Sequence, residues 1–208
     1  MSFYKNTCEE FVDMTFSNAP APGGGSVAAL AASLGAALGG MVCSLTTGKK
    51  KYAQYEEDIQ RLMKELKDLT REFFNIMDED VENFLPLSKA YGLPSTTDEE
   101  KAFKARELDR CLKLAVQAPV RLLKTSCGSI PLFEELTEKG SKLALSDVGC
   151  GIALIRSAMS CAWLNIEINI NMIKDEAYAE GLRKECTSLL KEGLKKCDEI
   201  YDKVDSAL

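Results

Sequence analysis

Residues 27–45 contain no charged side chain and consist almost wholly of small apolar residues. They follow Pro20-Ala21-Pro22-Gly23-Gly24-Gly25-Ser26 and lead into Thr46-Thr47-Gly48-Lys49-Lys50-Lys51-Tyr52. A helix apolar on every side must be shielded from water, by lipid or by other helices. The run is just long enough to span a bilayer, but it is rich in Ala and Gly rather than Leu, and it reads as the only such run in the chain. Ala31, Gly35 and Gly39 recur every four residues, as do Ala32, Ala36 and Gly40. Stripes of this kind let neighbouring backbones approach closely, so the sequence predicts a helix at the centre of a bundle. Gly23-Gly24-Gly25-Ser26-Val27-Ala28 formally fits a dinucleotide-binding glycine pattern. That pattern needs a preceding strand, and residues 8–14 read as helix.

The glycines leave a backbone free of Cβ atoms that can bend sharply and come close to a ligand. Ser26 is the expected N-cap of the small-residue helix, and the free N–H groups there would form an anion site.

The 208 residues are 46% hydrophobic and 28% charged, enough apolar material for one domain, or two small ones, with a real core. The net charge of −6 argues against a general nucleic-acid surface. The first residues show no secretion signal, so the eight cysteines read as reduced thiols filling core gaps in a cytoplasmic protein. There is no C-x-x-C and no histidine, which makes a zinc site an unfavourable reading. Proton transfer must then use Asp, Glu, Lys, Tyr, Cys or water.

Nearly every other segment also reads as helix. Residues 7–16 form a short one, and 52–91 keep a helical apolar period that Pro86 should kink or end. Ser95-Thr96-Thr97-Asp98-Glu99-Glu100 is a helix-start signal for a helix reaching about residue 118, perturbed by Pro119. A short helix is expected over 130–138. Ser146-Asp147 should cap a helix running to 173, and 175–205 form the last. The expectation is an all-α bundle of about six to eight helices in a single domain over 1–208, with the small-residue helix at its centre.

Two further groups stand out. Asp78-Glu79-Asp80-Val81-Glu82 has the composition of a solvated face, but Asp80 adjoins the apolar row through Phe73 and Met77 and so borders the core. Asn165 and Asn169 lie four apart on the face that carries Ala158 and Ala162. They read either as satisfied interhelical hydrogen bonds or as amides facing a ligand.

The run from Pro20 to Leu30, followed by Gly48-Lys49-Lys50-Lys51-Tyr52, resembles the cyclodeaminase/cyclohydrolase family of folate enzymes. Asp78-Glu79-Asp80 with Phe84, Ala118-Pro119, Ser146-Asp147 and Asn165 with Asn169 extend the resemblance over nearly the whole chain. It implies an all-helical homodimer in the cytoplasm, without metal or bound cofactor, that takes a tetrahydrofolate derivative as substrate. Neither nucleic acid nor membrane is an expected partner; a formiminotransferase is a possible one.

The first reaction implied is cyclodeamination of 5-formiminotetrahydrofolate, a step of histidine catabolism that gives 5,10-methenyltetrahydrofolate and ammonia. The alternative is a methenyltetrahydrofolate cyclohydrolase, in which water attacks the same carbon. A further alternative is a helical binding protein of this fold without catalysis. Both reactions suit a carboxylate beside a cationic centre. Asp80 is the expected proton-transferring group, with Asp78 its neighbour and Asp147 a lower-ranked substitute. Gly23, Gly24, Gly25, Ser26 and Lys49 are expected to bind the anionic part of folate, and Asn165 and Asn169 to position its reacting nitrogens.

Overall fold

The computed structural model describes residues 2–208 and consists of helices joined by short turns. The α-helices are α1 (Cys8–Phe16), α2 (Gly24–Ser44), α3 (Glu56–Tyr91), α4 (Asp98–Ala115), α5 (Gln117–Lys139), α6 (Leu145–Ile170) and α7 (Glu176–Asp205). No strand occurs among the described residues. The expected all-α bundle with α2 at its centre is the observed fold.

Small residues explain how α2 is accommodated. It packs most extensively on α3 and α6, with Ala28, Ala29, Ala32, Ala36 and Val42 buried. At its crossing with α6, a Cβ on Gly35 would lie 2.8 Å from the Gly151 carbonyl oxygen. A Cβ on Gly151 would lie 2.6 Å from Phe133 on α5. The helices touch backbone to backbone, and any larger side chain would force them apart. Gly35 meets Gly151 while Gly24 approaches Asn165, so α2 and α6 are antiparallel. Residues 142–170, like α2, are long and apolar enough to cross a membrane by composition, so α2 is not the only such run. About half of each apolar window is buried inside the bundle.

Several helix starts follow their sequence signals. Thr7 and Thr97 each form a capping box, with Glu10 and Glu100, and the Asp175 side chain accepts from the Tyr178 N–H. Other boundaries differ from expectation. The first helical residue of α2 is Gly24, its N-cap is Gly23, and Ser26 sits inside the first turn without capping. Ser146 and Asp147 likewise fall inside the first turn of α6, after an Ala144 N-cap that makes no side-chain bond. The helix expected to reach residue 118 ends at Ala115, and Pro119 falls in the first turn of α5, where an N–H is not required. The short helix expected over 130–138 is the end of α5, which passes through Pro131. Pro86 does not end α3, which continues to Tyr91. The carbonyl it leaves without a donor belongs to Glu82, an exposed residue whose backbone water can satisfy.

The end of the bundle beyond the C-terminus of α2 is held by a separate set of bonds. The Thr46 hydroxyl accepts from the Ser141 N–H at 2.8 Å, and the Tyr52 hydroxyl accepts from the Lys142 N–H at 3.0 Å. Gly48, the one residue with positive φ (71°) among those described, makes the turn into the lysines, which a glycine adopts without strain.

Candidate active site

The N-terminus of α2 opens onto a cleft of about 310 Å³. Its wall on α3 is formed by Asp80, Phe84, Leu87 and Tyr91, which recur with the period of one helix face. Asn165, Ile168, Asn169 and Met172 line the opposite side, and Ala115 and Pro119 contribute from α4 and α5. The Pro20–Gly25 turn closes one end. Among these lining residues Asp80 is the only charged one.

The glycines serve Asp80. A Cβ on Gly25 would lie 2.6 Å from the Asp80 Cγ and 2.7 Å from its Oδ2, so only glycine lets the carboxylate rest against the start of α2. The Ser26 hydroxyl donates to Asp80 Oδ2 at 2.8 Å. The anion met by this helix N-terminus is therefore the chain's own Asp80, bound in the manner helix starts bind anions. Gly24 faces Asn165, whose Nδ2 would stand 3.4 Å from an added Cβ, and Gly23 has open space where a side chain would be.

Opposing influences set the Asp80 carboxyl. Burial pushes its pKa above the usual aspartate value; the Ser26 hydroxyl and N–H pull it partly back, and the charge of Glu79 pushes it up again. The neighbouring acid that acts on it is Glu79, not Asp78.

Asn165 and Asn169 bond neither to each other's side chains nor to another helix. Each donates its amide back along α6, Asn165 to the Cys161 carbonyl at 2.8 Å and Asn169 to the Asn165 carbonyl at 2.7 Å. One of the two N–H donors of each amide is thereby engaged, and both residues line the cleft.

The other expected site residues lie elsewhere. Asp78 is not part of the cleft lining; its carboxylate accepts from the Ser2 hydroxyl at 2.7 Å and the Phe3 N–H at 2.9 Å, pinning the N-terminal segment to α3. Two residues apart on a helix, Asp78 and Asp80 point to different faces. Asp147 is in the first turn of α6, eighteen residues or about 27 Å from Asn165 along the axis. Lys49 follows the opposite end of α2, about 30 Å from the glycine turn along that helix, and is exposed. Within one chain the structure does not bring Asp147 or Lys49 to Asp80.

Leu87, Tyr91, Ala115, Ile168 and Met172 complete the cleft without having been singled out from the sequence. The repeat of Asp80, Phe84, Leu87 and Tyr91 was the available signal for two of them. Among the described residues no three His, Cys, Asp or Glu side chains cluster as metal ligands would.

A family model described as formiminotransferase-cyclodeaminase matches residues 7–188. The chain belongs to that family. It is 38% identical over 200 residues to a protein from Methylorubrum extorquens named methenyltetrahydrofolate cyclohydrolase, covering 96% of each chain. It is 30% identical to formimidoyltransferase-cyclodeaminase of Sus scrofa, where the match takes in 94% of this chain but 36% of that one. The fold agrees with the crystal structure of formiminotetrahydrofolate cyclodeaminase from Thermotoga maritima at a TM-score of 0.82 and 26% identity, over 99% of this chain and 96% of the other. Thus the chain spans nearly all of its bacterial relatives and about a third of the animal one.

Proposed function

We propose that the cleft is the active site of a folate one-carbon enzyme, and that its reaction is the hydrolysis of 5,10-methenyltetrahydrofolate. The observation that carries this reading is the lone carboxylate, raised in pKa, set among apolar walls and held by the start of α2. The end-to-end similarity to the Methylorubrum protein supports the cyclohydrolase over the cyclodeaminase, reversing the order suggested by the sequence motifs.

The substrate is a cation whose reactive carbon lies between two nitrogens. A carboxylate beside it stabilises that charge, more strongly in an apolar cleft than in water. Water adds to the carbon as Asp80 takes one of its protons, giving a neutral carbinolamine. Asp80 returns that proton to one ring nitrogen as the bond from that nitrogen to the carbon breaks. The hydroxyl proton leaves to solvent, and the carbon remains on the other nitrogen as a formyl group. Asn165 and Asn169, on the opposite side of the cleft, offer amide groups to the bound ring, and no further cofactor is required.

The second reading is the cyclodeaminase, favoured by the Thermotoga and Sus scrofa relatives. Asp80 would then carry the N10 proton to the departing ammonia. A formiminotransferase would be the partner supplying that substrate. Methenyltetrahydrofolate absorbance separates the two: a cyclohydrolase consumes the chromophore, and a cyclodeaminase generates it with ammonia. Asp80→Asn should lower kcat by about 10² to 10⁴ in either case. A protein that acts on neither substrate would be a binding protein of this fold.

A cytoplasmic homodimer is part of the same proposal. Val27, Leu34 and Met41 of α2, with Leu164 and Ile168 of α6, form an exposed apolar face. Faces of this kind are normally covered by another protein surface. Sedimentation should give twice the 22.8 kDa chain mass, and a monomer at micromolar concentration would refute the dimer.

A further inference from the structure

Asp80 has a charged neighbour outside the cleft. Glu79 precedes it on α3, about 100° away around the helix, and is turned toward α5. With its side chain only 28% exposed, Glu79 is incompletely screened by water, and its charge pushes the Asp80 carboxyl up. One cation meets it. Arg121 of α5 donates from Nη1 to Glu79, and to Glu72 from Nε at 2.9 Å and from Nη2 at 2.5 Å. Glu72 and Glu79 are seven residues apart, about two turns of α3, so both lie on the face that α5 covers. The guanidinium is forked between them, and one of the two negative charges on that face is compensated beside Asp80.

No second cation does this. From α2, Asp80 meets the Ser26 hydroxyl and N–H, both uncharged. Across the cleft stand the amides of Asn165 and Asn169, and α4 and α5 bring Ala115 and Pro119 to its lining. On α3 itself, Asp78 is bound by Ser2 and Phe3, and Glu82 is exposed. The neighbouring lysines are engaged elsewhere: Lys124 of α5 pairs with Glu185 at 2.6 Å, and Lys113 of α4 with Asp109 and Asp175. In the N-terminal segment, Lys5 lies over the Tyr4 ring. Among the described residues, Arg121 is the one cation paired with an acid of the run from Asp78 to Glu82.

We propose that Arg121 is a positioning residue of this site: by holding and compensating Glu79, it keeps Asp80 ionised where the reaction needs a base. The inference rests on the reading of Asp80 as that base. Two uncompensated carboxylates in succession on a half-buried helix face favour retention of a proton. With Glu79 paired, Asp80 releases its proton more readily. An ion pair that served only to join α3 to α5 would behave differently, because breaking it from either side would have the same effect.

The test compares Arg121→Met, which keeps an apolar stem and removes the charge, with Glu79→Gln and with the double variant. Two quantities are read: the carbon-13 NMR titration of the Asp80 carboxyl, and the acid limb of the pH–kcat profile. At low salt Arg121→Met should move both to higher pH by roughly half a pH unit, and Glu79→Gln should move both to lower pH by a similar amount. The double variant removes both charges and should return toward wild type; Arg121→Lys, which keeps the charge, should stay near it. Added salt should shrink every shift. Single variants that move the Asp80 titration in the same direction, or that leave it unmoved, would overturn the proposal. Opposite shifts of the carboxyl with an unmoved kcat limb would refute Asp80 as the base and leave its link to Arg121 standing.

Discussion

The contact between Gly25 and Asp80 makes the most exacting prediction. Gly25→Ala adds one methyl group, whose carbon would begin 2.6 Å from the Asp80 Cγ, whereas ordinary contact begins at 3.4 Å. The start of α2 is fixed by backbone bonds and by its packing on α6, so the carboxylate must give way. A retreat of about 1 Å is enough to cost on the order of 10²-fold in a positioned reaction. It also stretches the 2.8 Å bond from the Ser26 hydroxyl out of hydrogen-bonding range. The fold should survive, because alanine is a better helix former than glycine by up to about 1 kcal/mol.

The expected outcome is a kcat lowered by about 10²-fold, with a thermal midpoint within a few degrees of wild type. The neighbouring glycines are internal controls. Gly24→Ala meets Asn165 at an ordinary 3.4 Å, and Gly23→Ala meets nothing within 4 Å. Their kcat losses should therefore be graded, largest at position 25 and smallest at 23. If Asp80 is the group displaced, Gly25→Ala adds little to Asp80→Asn in the double variant. Steady-state absorbance kinetics on the three single variants and the double variant decide the matter. A Gly25→Ala enzyme with kcat within a few-fold of wild type would refute the placement of Asp80 as the reacting group.

The general fold was legible because apolar periodicity and capping signals are local. The helix-start signal from Ser95 to Glu100 could be read directly, and the uncharged run predicted a buried central helix. Boundaries failed where the chain has more than one solution. Ser26 has the chemistry of an N-cap, but Gly23 starts α2 and the serine hydroxyl is drawn to an acid 54 residues away. Pro131 stays inside α5 because tertiary packing outweighs one missing backbone bond. In the site, Asp80 was legible from its place beside an apolar row. The purpose of Gly25 was not, since no local pattern says which side chain a glycine must admit. Lys49 could not be placed from sequence: it follows the end of α2 and so lies, within one chain, a full helix length from that helix's start. Tyr91 and Met172 meet only because α3 and the end of α6 converge, which nothing in either segment announces.

The remaining predictions concern Asp80. Its bond from Ser26 holds the carboxyl pKa down, so Ser26→Ala should raise it. A base must be ionised, and the acid limb of the pH–kcat profile should therefore move to higher pH; Ser26→Thr should restore it, and an unmoved limb would show that Asp80 is not the titrating group. Stability supplies a measurement independent of turnover. The folded-state pKa of Asp80 is raised above its unfolded value, chiefly by burial. Between those two values the folded chain binds more protons than the unfolded one, so this group's contribution to stability falls as pH rises through the window. Above the folded pKa the full cost of keeping a partly buried charge remains; below the unfolded pKa it is absent. Asn has nearly the same shape, no charge, and a side-chain oxygen that can still accept from Ser26. Asp80→Asn should therefore melt at a higher temperature than wild type at neutral pH, and the gap should close as pH falls below the ordinary aspartate range. Such a variant would be more stable and far less active, the pattern expected where a fold tolerates an unfavourable charge for its chemistry. Equal melting temperatures at neutral pH, or a gap that persists in acid, would show that Asp80 is not held against its preference.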